Sequence, residues 1–247
     1  MVNELAISAA IVTYNDADRI GKACTSIIEN TKKYPLRLTV VDNASSDNSV
    51  NIARESGAEI ICLNKNVGFG AAHNKLLETE LGKYHFVINP DIYIDSDVLS
   101  SLVDFMEENP DVVMAMPKIL NPDGTEQKLP KEKPTFKRLF LGRISKKVRR
   151  EYVWADKEIN DVVDIDFCTG CFFCIRSAAF KSLGGFDERF FMYLEDVDLT
   201  LKAKKIGRVV MQPNVSVVHE WERQSAKSLK YFLIHISSCI KFLLGRR

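Results

Sequence analysis

The sequence predicts an α/β protein built on a mostly parallel central sheet flanked by helices. Three nearly continuous apolar runs, Leu5 to Val12, Leu36 to Val41 and Ala58 to Leu63, read as strands covered on both faces. Each leads through a polar turn into a segment of helical period. Three such units before residue 82 imply right-handed crossovers and parallel pairing. At 247 residues, 46% hydrophobic and 27% charged, the chain suits one soluble α/β domain with an appendage; disordered and membrane-spanning classes do not fit.

Taken in order, the first strand ends at Thr13-Tyr14-Asn15-Asp16. Asn15, Asp16 or Asp18 can cap the helix whose apolar positions are Ile20, Ala23, Cys24, Ile27 and Ile28. The second strand ends at Asp42, and Asn43 to Asp47 supply the turn before a helix over Ser49 to Glu55. The third leads through a glycine-bearing loop, Asn64 to Gly70, to a helix over about Ala71 to Leu81. Tyr84 to Asn89 is a fourth strand. There follow a helix over Asp97 to Asn109, a strand from Val112 to Pro117 and a turn at Asn121-Pro122-Asp123-Gly124.

Lys128 to Arg150 holds ten Lys or Arg against one acid, Glu132, in a chain whose net charge is +1. With little periodicity, it reads as a basic loop with a short turn of helix near Phe136 to Leu141; charge of one sign also attracts anionic surfaces. Val162 to Arg176 reads as one long strand or a bent pair broken near Gly170. A short helix over Ser177 to Leu183 stops at Gly184-Gly185, a second runs from Glu195 to about Ile206, and two short strands, Val209 to Met211 and Val215 to Val218, precede His219. A C-terminal amphipathic helix carries the stripe Leu229, Phe232, Leu233, Ile236, Ile240, Leu243 and Leu244. The run is too short and interrupted to span a bilayer, and it either packs on the domain or lies in a membrane interface. Residues 227–247 hold five Lys or Arg and no acid, which favours an anionic leaflet.

Four places carry chemistry. Asn89-Pro90-Asp91 sets a carboxylate just past a buried strand, the edge where open α/β sheets bind ligands; acid there suits Mg²⁺ or Mn²⁺ escorting phosphates, and the same three residues also make an ordinary turn. Glu195-Asp196-Val197-Asp198 puts three acids in a first helical turn, where the helix dipole alone would stabilise them. The aromatic stretch before them would desolvate a carboxylate and raise it toward a useful base. His219 ends a strand and precedes Trp221, Arg223 and Ser225, either as a structural histidine or as part of a loop over a diphosphate. Gly68-x-Gly70 resembles a dinucleotide fingerprint, but position 73 is His and the first strand-to-helix turn has no glycines, so a dehydrogenase is disfavoured. Cys168, Cys171 and Cys174 have metal-like spacing, yet residues three apart on a strand face opposite ways, and small core residues account for them better.

Together and in this order, over about residues 5 to 226, these segments resemble the family 2 inverting glycosyltransferases of the GT-A fold, in particular the rhamnosyltransferase branch of bacterial surface-polysaccharide assembly. Ala10 to Asn15 resembles the family's opening strand and loop, Val40 to Asp47 its base-recognition segment, and Asn66 to Asn74 its Asn-x-Gly-Phe-Gly-x-Ala-x-Asn loop. Ile88-Asn89-Pro90-Asp91 matches the branch's form of the Asp-x-Asp metal motif; Gly170, Gly184 to Asp187 and Phe190 to Asp198 match the acceptor-side motifs. The resemblance implies a nucleotide sugar, dTDP- or UDP-linked, along Thr13, Tyr14, Asn15, Asp42, Asn66, Gly68, Asn74 and Asn89. It implies Mg²⁺ or Mn²⁺ on Asp91 and His219, Asp196 as base, and Gly170, Glu195, Trp221, Arg223 and Ser225 on the acceptor or diphosphate side. Asn89 replaces the first acid of Asp-x-Asp, which leaves fewer carboxylates for the metal.

The expected organisation is one catalytic domain, 1–226, with its nucleotide half in 1–95 and its acceptor half in 96–226, followed by the basic helix 227–247. The expected partners are the donor, a glycan or lipid-linked acceptor, and an anionic membrane surface met through 128–150 and 227–247. No basic leader opens the chain and the cysteines are scattered, so a cytoplasmic protein, peripheral at the inner face of the membrane, is expected. A non-catalytic relative that keeps the fold as a binding or scaffolding subunit is the alternative. Nucleic-acid binding ranks last, since the basic segment has only Phe136 and Phe140 to stack on bases. The sequence fixes no oligomeric state.

Overall fold

A computed structural model describes residues 6–141, 145–221 and 229–245. The described strands form one sheet in the order β3-β2-β1-β4-β8-β6-β9-β5, with β7 on β9. The expected parallel core is there. β1 (Ile7–Thr13) pairs in parallel with β2 (Leu36–Asp42) and β4 (Tyr84–Ile88), and β2 with β3 (Glu59–Cys62). Every residue of β1 and β4 is buried, as their unbroken apolar runs require. β3 is half-exposed rather than covered on both faces, because it ends the sheet.

The helices α1 (Ile20–Asn30), α2 (Ser49–Glu55) and α4 (Val98–Glu108) lie where their periods put them. Asp97 caps α4 by accepting from the Ser100 amide at 3.1 Å. No side chain caps α1, because Asp16 instead accepts from Thr13 Oγ1 and the Tyr14 amide and braces the loop before it. The expected helix after Gly70 is shorter and tighter than its pattern suggests. α3 (Phe69–His73) passes into a 3-10 turn, Asn74–Glu78, at the point where the Asn74 side chain bonds both the carbonyl and the amide of Phe186.

In the second half, β8 (Phe172–Arg176) runs antiparallel between β4 and β6 (Val112–Leu120). Of the two readings of 162–176, one long strand or a pair broken near Gly170, the structure has the pair, β7 (Val163–Asp164) and β8, separated by the loop that carries Gly170. The two expected strands before His219 are one, β9 (Arg208–His219), and β6 extends past Pro117. The β6–β9 ladder shifts register between Pro117 and Lys118, which lets Pro117 and Pro213 sit there without breaking either strand. β5 (Ile92–Tyr93) closes the sheet edge, pairing Ile92 with His219.

The basic segment has the short helical turn expected near Phe136 to Leu141 and a further, unexpected helix. It folds into a π-helical turn, Lys137–Leu141, and a helix α5 (Lys146–Tyr152) that buries none of its residues, which is why no apolar period announced it. α6 (Ser177–Ser182) and α7 (Glu195–Ala203) follow, α7 stopping short of Ile206. The C-terminal helix α8 (Leu229–Leu244) docks against Phe190, Leu194 and Val197 through Cys239 and Phe242. Its predicted stripe faces the domain only in part: Leu243 packs against this cluster, whereas Leu229, Leu233, Ile240 and Leu244 are between 48% and 74% exposed. Cys168, Cys171 and Cys174 are buried free thiols in the core, as the strand geometry argues.

Candidate active site

The carboxyl ends of β1, β2 and β4 open into a cavity of about 940 Å³. Tyr14, Asp16, Asn43, Asn89, Asp91, Gly170, Glu195, Asp196, His219 and Trp221 are among the residues that line it. Of the donor-side residues expected from the sequence, Tyr14, Asn66, Gly68 and Asn89 face this space; Thr13, Asn15, Asp42 and Asn74 are not among its lining residues. Thr13 is fully buried and bonds Asp16. Asn15, at φ 59°, braces the Ser46 amide, and both Asp42 oxygens accept from the Ser45 amide. The side chains of these four hold the loops rather than the cleft. Asn43, expected from the sequence only as part of the turn and segment that follow the second strand, lines the cleft and clamps the Asn66–Gly70 loop by bonding the Val67 amide and the Gly68 carbonyl. Gly68 has no substitute there: its φ is +94° and a Cβ would lie 2.2 Å from the Phe191 carbonyl oxygen.

Asp91 and His219 meet because β5 pairs with β9. Asp91 Oδ1 and His219 Nε2 are 3.2 Å apart, both buried and both without a hydrogen-bond partner. Gln127 holds the other side of the imidazole, with its Nε2 on the His219 carbonyl oxygen at 2.7 Å and its Oε1 at 3.0 Å from Nδ1. A carboxylate and an imidazole whose unsatisfied atoms stand this close suit a divalent cation. Among the described residues no cluster of three or more His, Cys, Asp or Glu is spaced to hold a metal. A cation here would draw its remaining oxygens from a diphosphate and water. Asp16 stands nearby, its carboxyl raised chiefly by burial, with a smaller contribution from the charge of Asp91. Trp221 stacks on His219, and the Glu220 amide donates to the Asp91 carbonyl, which ties the end of β9 to the metal loop. Arg223 and Ser225 lie outside the described residues.

Tyr193 and Leu194, which also line the cavity, both take positive φ, 73° and 71°, a costly conformation for large side chains that leads into the first turn of α7. Asp196 Oδ2 accepts from the Gly170 amide and Oδ1 from its neighbour Val197, each at 2.8 Å. Burial nevertheless raises Asp196 to about 6. Glu195, 4% exposed, is pushed up to about 8, first by burial and then by the Asp196 charge. Lifted carboxyls beside a cleft suit proton transfer near neutral pH, so desolvation prevails over the helix dipole here.

A family model described as glycosyl transferase family 2 matches residues 8–184. The chain belongs to this family. The match on this glycosyltransferase ends before Asp196 and His219. The chain is 25% identical over 256 residues to an N-acetylglucosaminyl-diphospho-decaprenol L-rhamnosyltransferase of Mycobacterium tuberculosis, covering 95% of this chain and 83% of the relative. Against rhamnosyltransferase WbbL of Escherichia coli the identity is 24% over 252 residues, covering 96% and 92%. Among solved structures, the mannosyltransferase PcManGT of Pyrobaculum calidifontis in complex with GDP-Man and Mn²⁺ superposes with a TM-score of 0.66 at 17% identity. The similarity covers 97% of this chain and 65% of that one. S. aureus TarS in complex with UDP-GlcNAc gives 0.64 at 20%, covering 93% and 64%. This glycosyltransferase thus shares their fold while spanning less than two thirds of either structure.

Proposed function

We propose that this family 2 glycosyltransferase inverts the anomeric carbon as it moves rhamnose from a dTDP- or UDP-linked donor to a hydroxyl of a lipid-linked glycan in surface-polysaccharide assembly. The observation that carries this reading is that Asp196 and the Asp91–His219 pair line one and the same cavity. Asp196 takes the proton of the acceptor hydroxyl while that oxygen bonds to the anomeric carbon, and the bond to the diphosphate breaks on the opposite face, its electron pair leaving with the phosphate. Asp91 and His219 would hold Mg²⁺ or Mn²⁺, which when bound neutralises charge on the departing diphosphate. Tyr14, Asn66 and Asn89 line the donor side; Gly170 fixes the base. Both rhamnosyltransferase relatives match over nearly the whole chain, which supports the sugar and the lipid-linked acceptor.

Residues 1–226 make the catalytic unit in this reading, and α8 is a docked appendage. No helix among the described residues is long and apolar enough to cross a membrane. Attachment is instead peripheral, through the outward stripe of α8 and the exposed cations of α5; Lys146, Lys147 and Arg149 have no acid partner among the described residues. Lys230, Tyr231 and Phe232 of α8 and Arg149 of α5 line the cavity mouth, which would put it at the leaflet where a lipid-linked acceptor resides.

A thermal-shift panel of nucleotide sugars with and without Mn²⁺, followed by transfer to a polyprenyl-diphosphate-linked sugar, tests this. A cation-dependent shift with dTDP-rhamnose and turnover to the lipid-linked sugar are expected. Absence of any shift across dTDP-, UDP- and GDP-sugars would overturn the reading.

A further inference from the structure

We propose that Gln127 is a positioning residue that locks His219 in one tautomer, Nδ1–H, and so presents a bare Nε2 beside Asp91. Gln127 is buried, 6% exposed, and its amide makes two contacts with one residue. The His219 carbonyl oxygen can only accept, so the Gln127 atom 2.7 Å from it is the NH₂ group. That leaves Oε1 facing His219 Nδ1 at 3.0 Å. An amide oxygen cannot donate, and Nδ1 therefore carries the hydrogen. In a neutral imidazole the remaining nitrogen, Nε2, is then a lone pair.

Gln127 is itself held rigidly. Its amide donates to the Ile119 carbonyl and its carbonyl accepts from the Leu129 amide, each at 2.8 Å, which anchors it to the end of β6 just after the Asn121–Gly124 turn. The lock is therefore delivered from β6 to a residue at the end of β9, opposite Ile92 of β5. Its consequence is electrostatic. With that tautomer, a lone pair on Nε2 and an oxygen of Asp91 stand 3.2 Å apart, both buried and both without a hydrogen-bond partner, and the two would be free to hold a cation. With Nε2 protonated the same pair would satisfy itself and reject a metal. Outer partners that fix a histidine's tautomer are worth about tenfold to a hundredfold in metal affinity elsewhere. The metal part of this inference rests on the Asp91–His219 reading above; the tautomer does not.

The test begins with the unaltered protein, ¹⁵N-labelled at histidine and free of metal, by long-range ¹H–¹⁵N correlation of the His219 ring. A protonated Nδ1 with a bare Nε2 is expected, and an Nε2–H tautomer would overturn the proposal without any variant. Titration with Mn²⁺ alone, read by electron paramagnetic resonance, then compares two substitutions. Gln127→Met keeps the volume and loses the acceptor; it should mix the tautomers and weaken Mn²⁺ about tenfold. Gln127→Glu keeps the acceptor for Nδ1–H while losing the donor to the His219 carbonyl oxygen, and should retain the Nδ1–H tautomer. Unmixed tautomers and undiminished Mn²⁺ affinity in Gln127→Met would remove Gln127 from this role. A native protein that shows the Nδ1–H form yet binds no Mn²⁺ would support the lock and overturn the metal site instead.

Discussion

The backbone amide of Gly170 donates to Oδ2 of Asp196 at 2.8 Å, joining the loop before β8 to the first turn of α7. With Val197 on the other oxygen, the carboxylate has one orientation and no freedom to rotate away from the cleft. A Cβ at position 170 would stand 3.3 Å from Asp196 Cβ and 3.4 Å from Oδ2. Gly170→Ala is therefore expected to keep the fold and displace the base by a few tenths of an ångström, lowering kcat roughly tenfold with little change in donor affinity. Steady-state kinetics on purified Gly170→Ala checks this, and an unchanged kcat would free the base from its dependence on the loop.

Asp196→Asn keeps the shape and removes the proton acceptor. Transfer should fall by about 10²- to 10⁴-fold, while the thermal shift produced by the nucleotide sugar stays close to that of the native protein. Comparable turnover in the variant would assign the base elsewhere.

Burial holds Glu195 at about 8 and Asp196 at about 6, against ordinary values of 4.5 and 3.8. Raised carboxyls mean that the folded chain binds more protons than the unfolded one, so their contribution to stability is lost as pH rises from the ordinary values through the raised ones. Glu195→Gln removes the larger share of this loss. Its melting temperature should gain on the native protein steadily between roughly pH 5 and pH 8. Parallel melting curves across that range would count against a buried, protonated Glu195. Catalysis runs the other way in the lower part of the window, because the base acts when ionised: kcat should climb as pH passes through about 6, the raised value of Asp196.

Asp91→Ala removes a carboxylate whose Oδ1 has no hydrogen bond to lose. Folding stability should change little, whereas Mn²⁺ binding and the cation-dependent part of the nucleotide thermal shift should disappear. Calorimetric titration with Mn²⁺ in the presence of UDP distinguishes this from a structural role, in which melting would fall and binding persist.

Leu233 and Ile240 stand 58% and 48% exposed on α8, away from the face that Cys239 and Phe242 bury. Replacing each by Ser should leave the melting temperature alone and weaken partition onto anionic vesicles, by roughly tenfold per side chain for about 1.5 kcal/mol of lost apolar burial. Equal partition of the double variant and the native protein in a sedimentation assay would show that this face is not the one in the leaflet.

The sequence by itself determined the parts that depend on local composition: mostly apolar runs at β1, β2 and β4, their parallel pairing through short crossovers, the turn at Asn121–Gly124, and a carboxylate just past β4. Only the tertiary structure decided what meets what. His219 reaches Asp91 because β9 pairs with β5 from the far end of the chain, and Gln127 reaches His219 because β6 lies beside β9; a polar residue after a turn leaves no periodic trace of either contact. The stripe on α8 was legible as a stripe, but period reports which residues share a face and not what covers it, and the domain took the Ser238, Cys239 and Phe242 face instead. The acids of α7 read equally as helix-dipole partners or as a base, because a carboxyl's pKa is set by how much water the folded chain leaves around it, a quantity that exists only once distant segments have closed over the site.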